Sequence, residues 1–105
     1  LGVSTVKAGM MSDDVDTVVR DFLKERGYVE EFGHGLGHGI GLEIHELPYR
    51  SGMSHIELKE NMLVTVEPGL DFDGWGGVRI EDDVIVTKDG CEILNNSSKE
   101  LIIIE

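Results

Sequence analysis

Two periods run through the apolar positions of this chain. Between Ser12 and Gly27, Val15, Val18, Val19, Phe22 and Leu23 recur at helical spacing, with Asp13 and Asp14 leading and Lys24 and Arg26 closing. Carboxylates favour the positive end of a helix and cations the negative end. The pattern predicts a helix over roughly 13–26, N-capped by Ser12 and stopped by Gly27, with its apolar stripe packed on a core. Further on the period is two. His34, Leu36, His38, Ile40, Leu42 and Ile44 alternate with glycine at 33, 35, 37, 39 and 41. A helix would lose roughly 1 kcal/mol at each of those glycines. The stretch therefore predicts a strand on which His34 and His38 share a face. The other face is bare backbone, open to close approach by another segment or a ligand.

The remaining pattern is mostly extended. Residues 1–9 read as the end of a helix closed by Lys7-Ala8-Gly9. Residues 48–59 read as a loop with a turn at Ser51-Gly52 and a solvated His55. Residues 62–67 alternate as a strand, halted by Pro68-Gly69. A turn-rich loop over 71–77 carries Trp75, and a long strand follows over 78–87. Lys88-Asp89-Gly90 reads as a hairpin turn of the Asp-Gly type, returning the chain antiparallel over 91–94. A final short strand is expected over 101–104. One helix and several antiparallel strands predict the α+β class, a sheet with a helix on one face.

Composition narrows the picture. The 105 residues suffice for one small domain, and a start at Leu1 leads us to expect a piece of a longer protein. The net charge of −12, from 21 acidic and 9 basic residues, excludes non-specific nucleic-acid binding. It fits cation binding, although most surface carboxylates are merely solvated. The single cysteine, Cys91, excludes an internal disulfide and is compatible with a reducing, cytoplasmic location. No apolar run approaches the roughly 18 residues of a membrane span.

The candidate chemistry begins with the imidazoles. A glycine-rich strand can simply bend, and its histidines can be hydrogen-bonded core residues. His34 and His38 are not the zincin pair, because Gly35 stands where that motif has Glu. Any metal held here needs ligands from elsewhere in the chain. Glu67 ends one apolar strand and Glu81 lies within another, where a carboxylate is costly unless paired or metal-bound. Arg79 shares strand parity with Glu81 and could neutralise it. Alternatively, His38 or His34 joins Glu67 and Glu81 around a metal. Mixed nitrogen and oxygen ligands suit Mn²⁺, Co²⁺, Zn²⁺ or Fe²⁺.

Three motifs occur in order: Gly-His-Gly-Leu-Gly-His-Gly-Ile-Gly-Leu-Glu-Ile-His-Glu-x-Pro from Gly33, Val-Glu-Pro-Gly from Val66, and Gly-Gly-Val-Arg-Ile-Glu-Asp from Gly76. Together with the upstream helix, they resemble the pita-bread metallopeptidases over about 6–93, in the Xaa-Pro aminopeptidase and Xaa-Pro dipeptidase (prolidase) branch. The resemblance implies the C-terminal half of a fold whose two similar halves enclose two divalent metal ions, Mn²⁺ first and Co²⁺, Zn²⁺ or Fe²⁺ next. It makes His38, Glu67 and Glu81 metal ligands, Glu81 bridging. Two Asp ligands are expected upstream of Leu1, since Asp71 and Asp73 lie on the wrong side of Glu-Pro-Gly. The implied reaction is hydrolysis by a metal-bridging hydroxide, with Glu67 as proton shuttle. His34 is implied near the substrate or leaving group, His45 on the peptide carbonyl, and Arg79 as the residue that orients Glu81. The implied substrate is a peptide with proline in second position, and the implied full-length assembly is a homodimer. Nucleic acid and membrane are not expected partners. Residues 1–105 alone are expected to be inactive. Methionine aminopeptidases share the metal residues, and a catalytically silent peptide-binding module of the same fold is the other reading. On all of these, His38, Glu67 and Glu81 should share the concave face of a curved sheet, opposite the helix.

Overall fold

The helical period is realised as α2 (Ser12–Glu25), after a short α1 (Gly2–Thr5) in the stretch read as a helix end. The structure, a computed structural model, describes residues 1–50 and 55–104. Val15 and Val19 are buried and Leu23 packs against the same core. Gly27 stops the helix as predicted. It takes φ +87°, its N–H bonds the Lys24 carbonyl, and the Tyr28 N–H bonds the Leu23 carbonyl. This helix ending needs a left-handed residue, which a Cβ disfavours.

Two details of the helix differ from expectation. Ser12 is the first helical residue and Met11 occupies the cap, with no side-chain cap bond. The Ser12 hydroxyl instead accepts the Ile56 N–H at 3.0 Å, and the Ser12 N–H bonds the Ile56 carbonyl. A tertiary partner has replaced the local one. Val18 and Phe22 are each 37% exposed, so the buried stripe is narrower than the sequence period.

Among the described residues there are seven strands: β1 (Gly37–Gly39), β2 (Glu46–Arg50), β3 (Leu63–Val66), β4 (Gly69–Phe72), β5 (Gly76–Arg79), β6 (Asp82–Val86) and β7 (Cys91–Ile93). Five form an antiparallel sheet in the order β2-β1-β3-β6-β7, and β4 with β5 forms a separate ribbon. The class is α+β, as expected. Val64 and Val66 of β3 and Val84 and Val86 of β6 form the core with Val15 and Val19 of α2. Because successive strand residues point to opposite faces, Thr65 and Asp83 are turned the other way.

The glycine-histidine stretch is not one long strand. Only Gly37–Gly39 joins the sheet; residues 40–45 reverse the chain, and β2 returns antiparallel where a loop was predicted, with Gly39 opposite Glu46. The bare face serves this return. A Cβ on Gly39 would strike the Leu47 carbonyl, so β2 lies directly against glycine backbone.

The predicted strand over 78–87 is also divided. β5 ends at Arg79 in the ribbon and β6 begins at Asp82 in the main sheet, leaving Ile80 and Glu81 as the crossing. The loop expected around Trp75 is the tip of the β4–β5 ribbon. The 88–90 turn joins β6 to β7 where predicted, closed by the Thr87 N–H on the Gly90 carbonyl, but neither Asp89 nor Gly90 takes the positive φ that the Asp-Gly hairpin type requires. Residues 101–104 form no strand and are well exposed, Ile104 at 92%. His55 is not simply solvated: its Nδ1 lies 2.7 Å from an Asp13 carboxylate oxygen. The predicted Ser51-Gly52 turn falls outside the described residues. Among those residues, no helix is long and apolar enough to cross a membrane.

Candidate metal centre

Three elements far apart in sequence converge at one point. His38 sits on β1, Glu67 directly after β3 and Glu81 in the crossing from β5 to β6. One ligand atom from each lies within 4.8 Å of the others. His38 is buried, and its backbone N–H donates to the Thr65 hydroxyl at 3.0 Å. Its Nδ1 lies 2.9 Å from the Gly39 carbonyl. A carbonyl can only accept, so this bond places a proton on Nδ1, and in the neutral ring Nε2 is then the nitrogen with the lone pair. Nε2 faces Glu67, with Oε2 at 3.8 Å. The Glu67 N–H is held in turn by the Leu36 carbonyl at 2.8 Å.

Glu81 is the strained member of the group. Its carboxyl is pushed above the ordinary value of 4.5, first by burial, then by a hydrogen bond and charge from Glu67, and then by the charge of Asp83. The positive charge of Arg79 opposes these effects. Two carboxylates this close resist ionising together, and a shared proton or a cation relieves them. Arg79 and Glu81 form no ion pair among the described residues, contrary to the neutralising role that parity offered. The parity itself fails, because Arg79 ends β5 whereas Glu81 lies beyond it.

Two adjoining cavities open beside the carboxylates. One, of about 470 Å³, is lined by His38, Thr65, Glu67, Glu81 and Asp83 and rimmed by residues of the 40–45 reversal. The other, of about 410 Å³, is lined by His34, His38, His45, Tyr49, Glu67 and Arg79. The structure thus brings all six sequence-predicted residues together. His34 and His38 do share a site, although the chain between them is not a regular strand. His45, exposed on the chain reversal, sets its ring 4.3 Å from that of His38, inclined at 63°. His34 Nδ1 lies 2.6 Å from the Gly35 carbonyl, and its ring meets Phe32 edge-on at 5.2 Å.

Sequence reasoning missed Thr65, Asp83 and Tyr49. Thr65 had a signal, being the one polar residue within Val64-Thr65-Val66 and sharing parity with Glu67. Asp83 had none beyond its neighbour, and Tyr49 lay in a stretch read as loop.

The model of metallopeptidase family M24 matches residues 1–88. The chain belongs to this family. The Xaa-Pro dipeptidase of Pyrococcus furiosus is 45% identical over 100 residues, covering 95% of this chain and 29% of that protein. A solved Xaa-Pro dipeptidase from Bacillus anthracis superposes with TM-score 0.95 at 53% identity, covering 98% of this chain and 29% of that one. A solved X-Pro aminopeptidase from Thermotoga maritima gives TM-score 0.93 at 45% identity, over 98% and 29%. This M24 chain therefore spans less than a third of the length of these relatives. Its fold is that of the C-terminal portion of the pita-bread prolidases.

The M24 assignment can be tested against the side chains themselves. A divalent ion of intermediate hardness needs an unprotonated imidazole nitrogen and anionic oxygens within reach of one point. Nε2 of His38 has the lone pair in the neutral ring, and Glu67 and Glu81 crowd against each other unless a proton or cation intervenes. The donor set fits.

Proposed function

We propose that the protein carrying this chain is a metal-dependent peptidase. It cleaves the Xaa-Pro bond at the N-terminus of peptides or in dipeptides, with His38, Glu67 and Glu81 as metal ligands. The observation that carries the reading is the convergence of those three ligand atoms within 4.8 Å. The names of the similar proteins, Xaa-Pro dipeptidase and X-Pro aminopeptidase, support the substrate class. Bound divalent ions, Mn²⁺ first and Co²⁺, Zn²⁺ or Fe²⁺ next, would supply Lewis acidity and lower the pKa of water at the site. On this reading two Asp ligands come from the portion of the relatives' length that this chain does not span. Residues 1–105 alone would then hydrolyse peptides at no useful rate.

The side chains divide the remaining work. Glu67 takes a proton on its carboxylate and returns it to the leaving nitrogen. His45, exposed beside His38, donates to the carbonyl of the bond to be cut. His34 stands across the same cavity and, with His45, shapes the pocket for the imino ring. Arg79 favours the ionised form of Glu81 by its charge and so prepares it to ligate.

The test uses the protein at its natural length, Mn²⁺ content and rates on Xaa-Pro and Met-Xaa peptides. Glu81→Ala should lose bound metal and activity together. His45→Ala should keep its metal and turn over more slowly. Normal activity in Glu81→Ala would refute the ligand assignment. Preference for Met-Xaa peptides would replace the substrate class, and peptide binding without turnover in the Mn²⁺-loaded wild type would make the protein a binding module.

A further inference from the structure

We infer that Asp16 and Arg20 of α2 are positioning residues for the proposed metal centre. They hold residues 32–36 in place and, through them, set His34, His38 and Glu67. The inference rests on the metal reading above, and concerns two residues outside that site.

Asp16 is 1% exposed, although it is a carboxylate within a helix. Burying a charge there is costly unless every lone pair is used. Its partners are specific. Arg20 Nε donates to Oδ2 at 3.0 Å, and Nη2 approaches Oδ1 at 3.3 Å. The Leu36 N–H donates to Oδ1 at 3.0 Å. Arg20 then spends its other donors on the same stretch of backbone. Nη1 reaches the Phe32 carbonyl and Nη2 the His34 carbonyl, both at 3.0 Å. The guanidinium also lies over the Phe32 ring, 4.4 Å from its centroid.

Residues 32–36 form no helix or strand, so no ladder orders them. Two of the five are glycine, whose backbone freedom makes an unsupported position diffuse. The clamp supplies what the ladder does not. Leu36 relays it onward: its N–H is held by Asp16 while its carbonyl accepts the Glu67 N–H at 2.8 Å. His34 lies inside the clamped stretch, and His38 follows two residues after Leu36. An Asp–Arg pair four apart on a helix usually contributes little because both ends are solvated. This one binds three backbone groups of the segment that leads into the histidines. Arginine is required because its planar fork serves several acceptors at once, which a lysine ammonium cannot match in this geometry.

The experiment compares wild type, Arg20→Lys, Arg20→Met, His38→Ala and the core control Val86→Ala, each at natural length. Mn²⁺ affinity is measured by titration. Amide hydrogen exchange at His38 and Glu67 is measured in the metal-free protein, relative to amides of β6. Arg20→Lys should weaken Mn²⁺ binding by about 10- to 100-fold, the range found when a group orienting a ligand is lost. Arg20→Met should weaken it at least as much and speed exchange at His38 and Glu67 selectively. Val86→Ala should lower the melting temperature while keeping Mn²⁺ affinity, with faster exchange confined to β6 and β7. Wild-type affinity and exchange in both Arg20 variants would overturn the inference. Equal losses in Val86→Ala would reduce it to general stability and also overturn it. Wild type and His38→Ala taking up Mn²⁺ equally poorly would refute the metal reading instead. The exchange pattern would then decide the positioning role alone, unchanged protection in Arg20→Met counting against it.

Discussion

Val64 and Thr65 are neighbours on β3, both essentially buried, yet they answer to different environments. Val64 pairs across the sheet with Val84, and both belong to the apolar core. Thr65 pairs with Asp83, and its hydroxyl accepts the His38 N–H beside the carboxylates. Burial on the core face is satisfied by apolar area, which is non-directional and tolerant of shape-conserving exchange. On the site face it is satisfied by directed hydrogen bonds, where one lost acceptor leaves a donor stranded. One strand therefore supports stability on one side and chemistry on the other, and the two should be separable by mutation.

The largest separation is expected from Val64→Ala. Removing two buried methyl groups should cost about 2 kcal/mol, counting the cavity left behind. Urea denaturation will show the loss, while Mn²⁺ affinity of the folded protein should stay at the wild-type value. A parallel fall in affinity would mean that the faces are coupled.

Thr65→Val sharpens the same contrast from the other side. The replacement keeps the shape and strands the His38 N–H, at a cost of about 1–2 kcal/mol. Unlike Val64→Ala, it should weaken Mn²⁺ binding, by about tenfold. Thr65→Ser retains the acceptor and should restore most of the affinity.

The smallest effect concerns Glu81 and pH, read by urea midpoints with chelator present. Its folded pKa lies above the ordinary 4.5 because of burial, Glu67 and Asp83. Between those two values the native state holds a proton that the unfolded chain has released. Stability from this group therefore falls as pH rises through that window. Glu81→Gln cannot lose that proton, so its midpoint should decline less above pH 4.5 than that of wild type. A wild-type midpoint unaffected by the substitution across this range would show that Glu67 and Glu81 do not compete for a proton.

Several elements were legible because their cause is local. Gly27 ends α2 through its own backbone, and the 88–90 turn needs only its flanking strands. The ligand candidates were legible for a different reason, since the motifs around His38, Glu67 and Glu81 resemble a known family. The errors arose where a neighbour outbid the local pattern. Ser12 could cap its helix but instead bonds Ile56. Alternation over 40–44 resembles a strand, yet apart from the Ile40 N–H on the Leu63 carbonyl that segment pairs with no strand among the described residues and becomes the reversal before β2. The run over 78–87 reads continuously, but its halves pair with different strands. Asp16 and Arg20 look like an ordinary solvated helix pair until the fold brings Phe32, His34 and Leu36 against them.

The sequence by itself determined the α+β class, the helix and its stop, the alternating strand that became β3, and the residues able to ligate a metal. These follow from side-chain period, backbone preference and donor chemistry, which each residue carries wherever it is placed. Tertiary structure decided that strand pairing breaks at Ile80 and Glu81, that His38 turns Nδ1 to a carbonyl and Nε2 to the carboxylates, that Glu67 rather than Arg79 is the close partner of Glu81, and that a buried carboxylate on α2 steadies the histidine segment. Those outcomes depend on distances between residues remote in sequence, and hydrogen bonds and charge interactions act only when the fold has closed those distances.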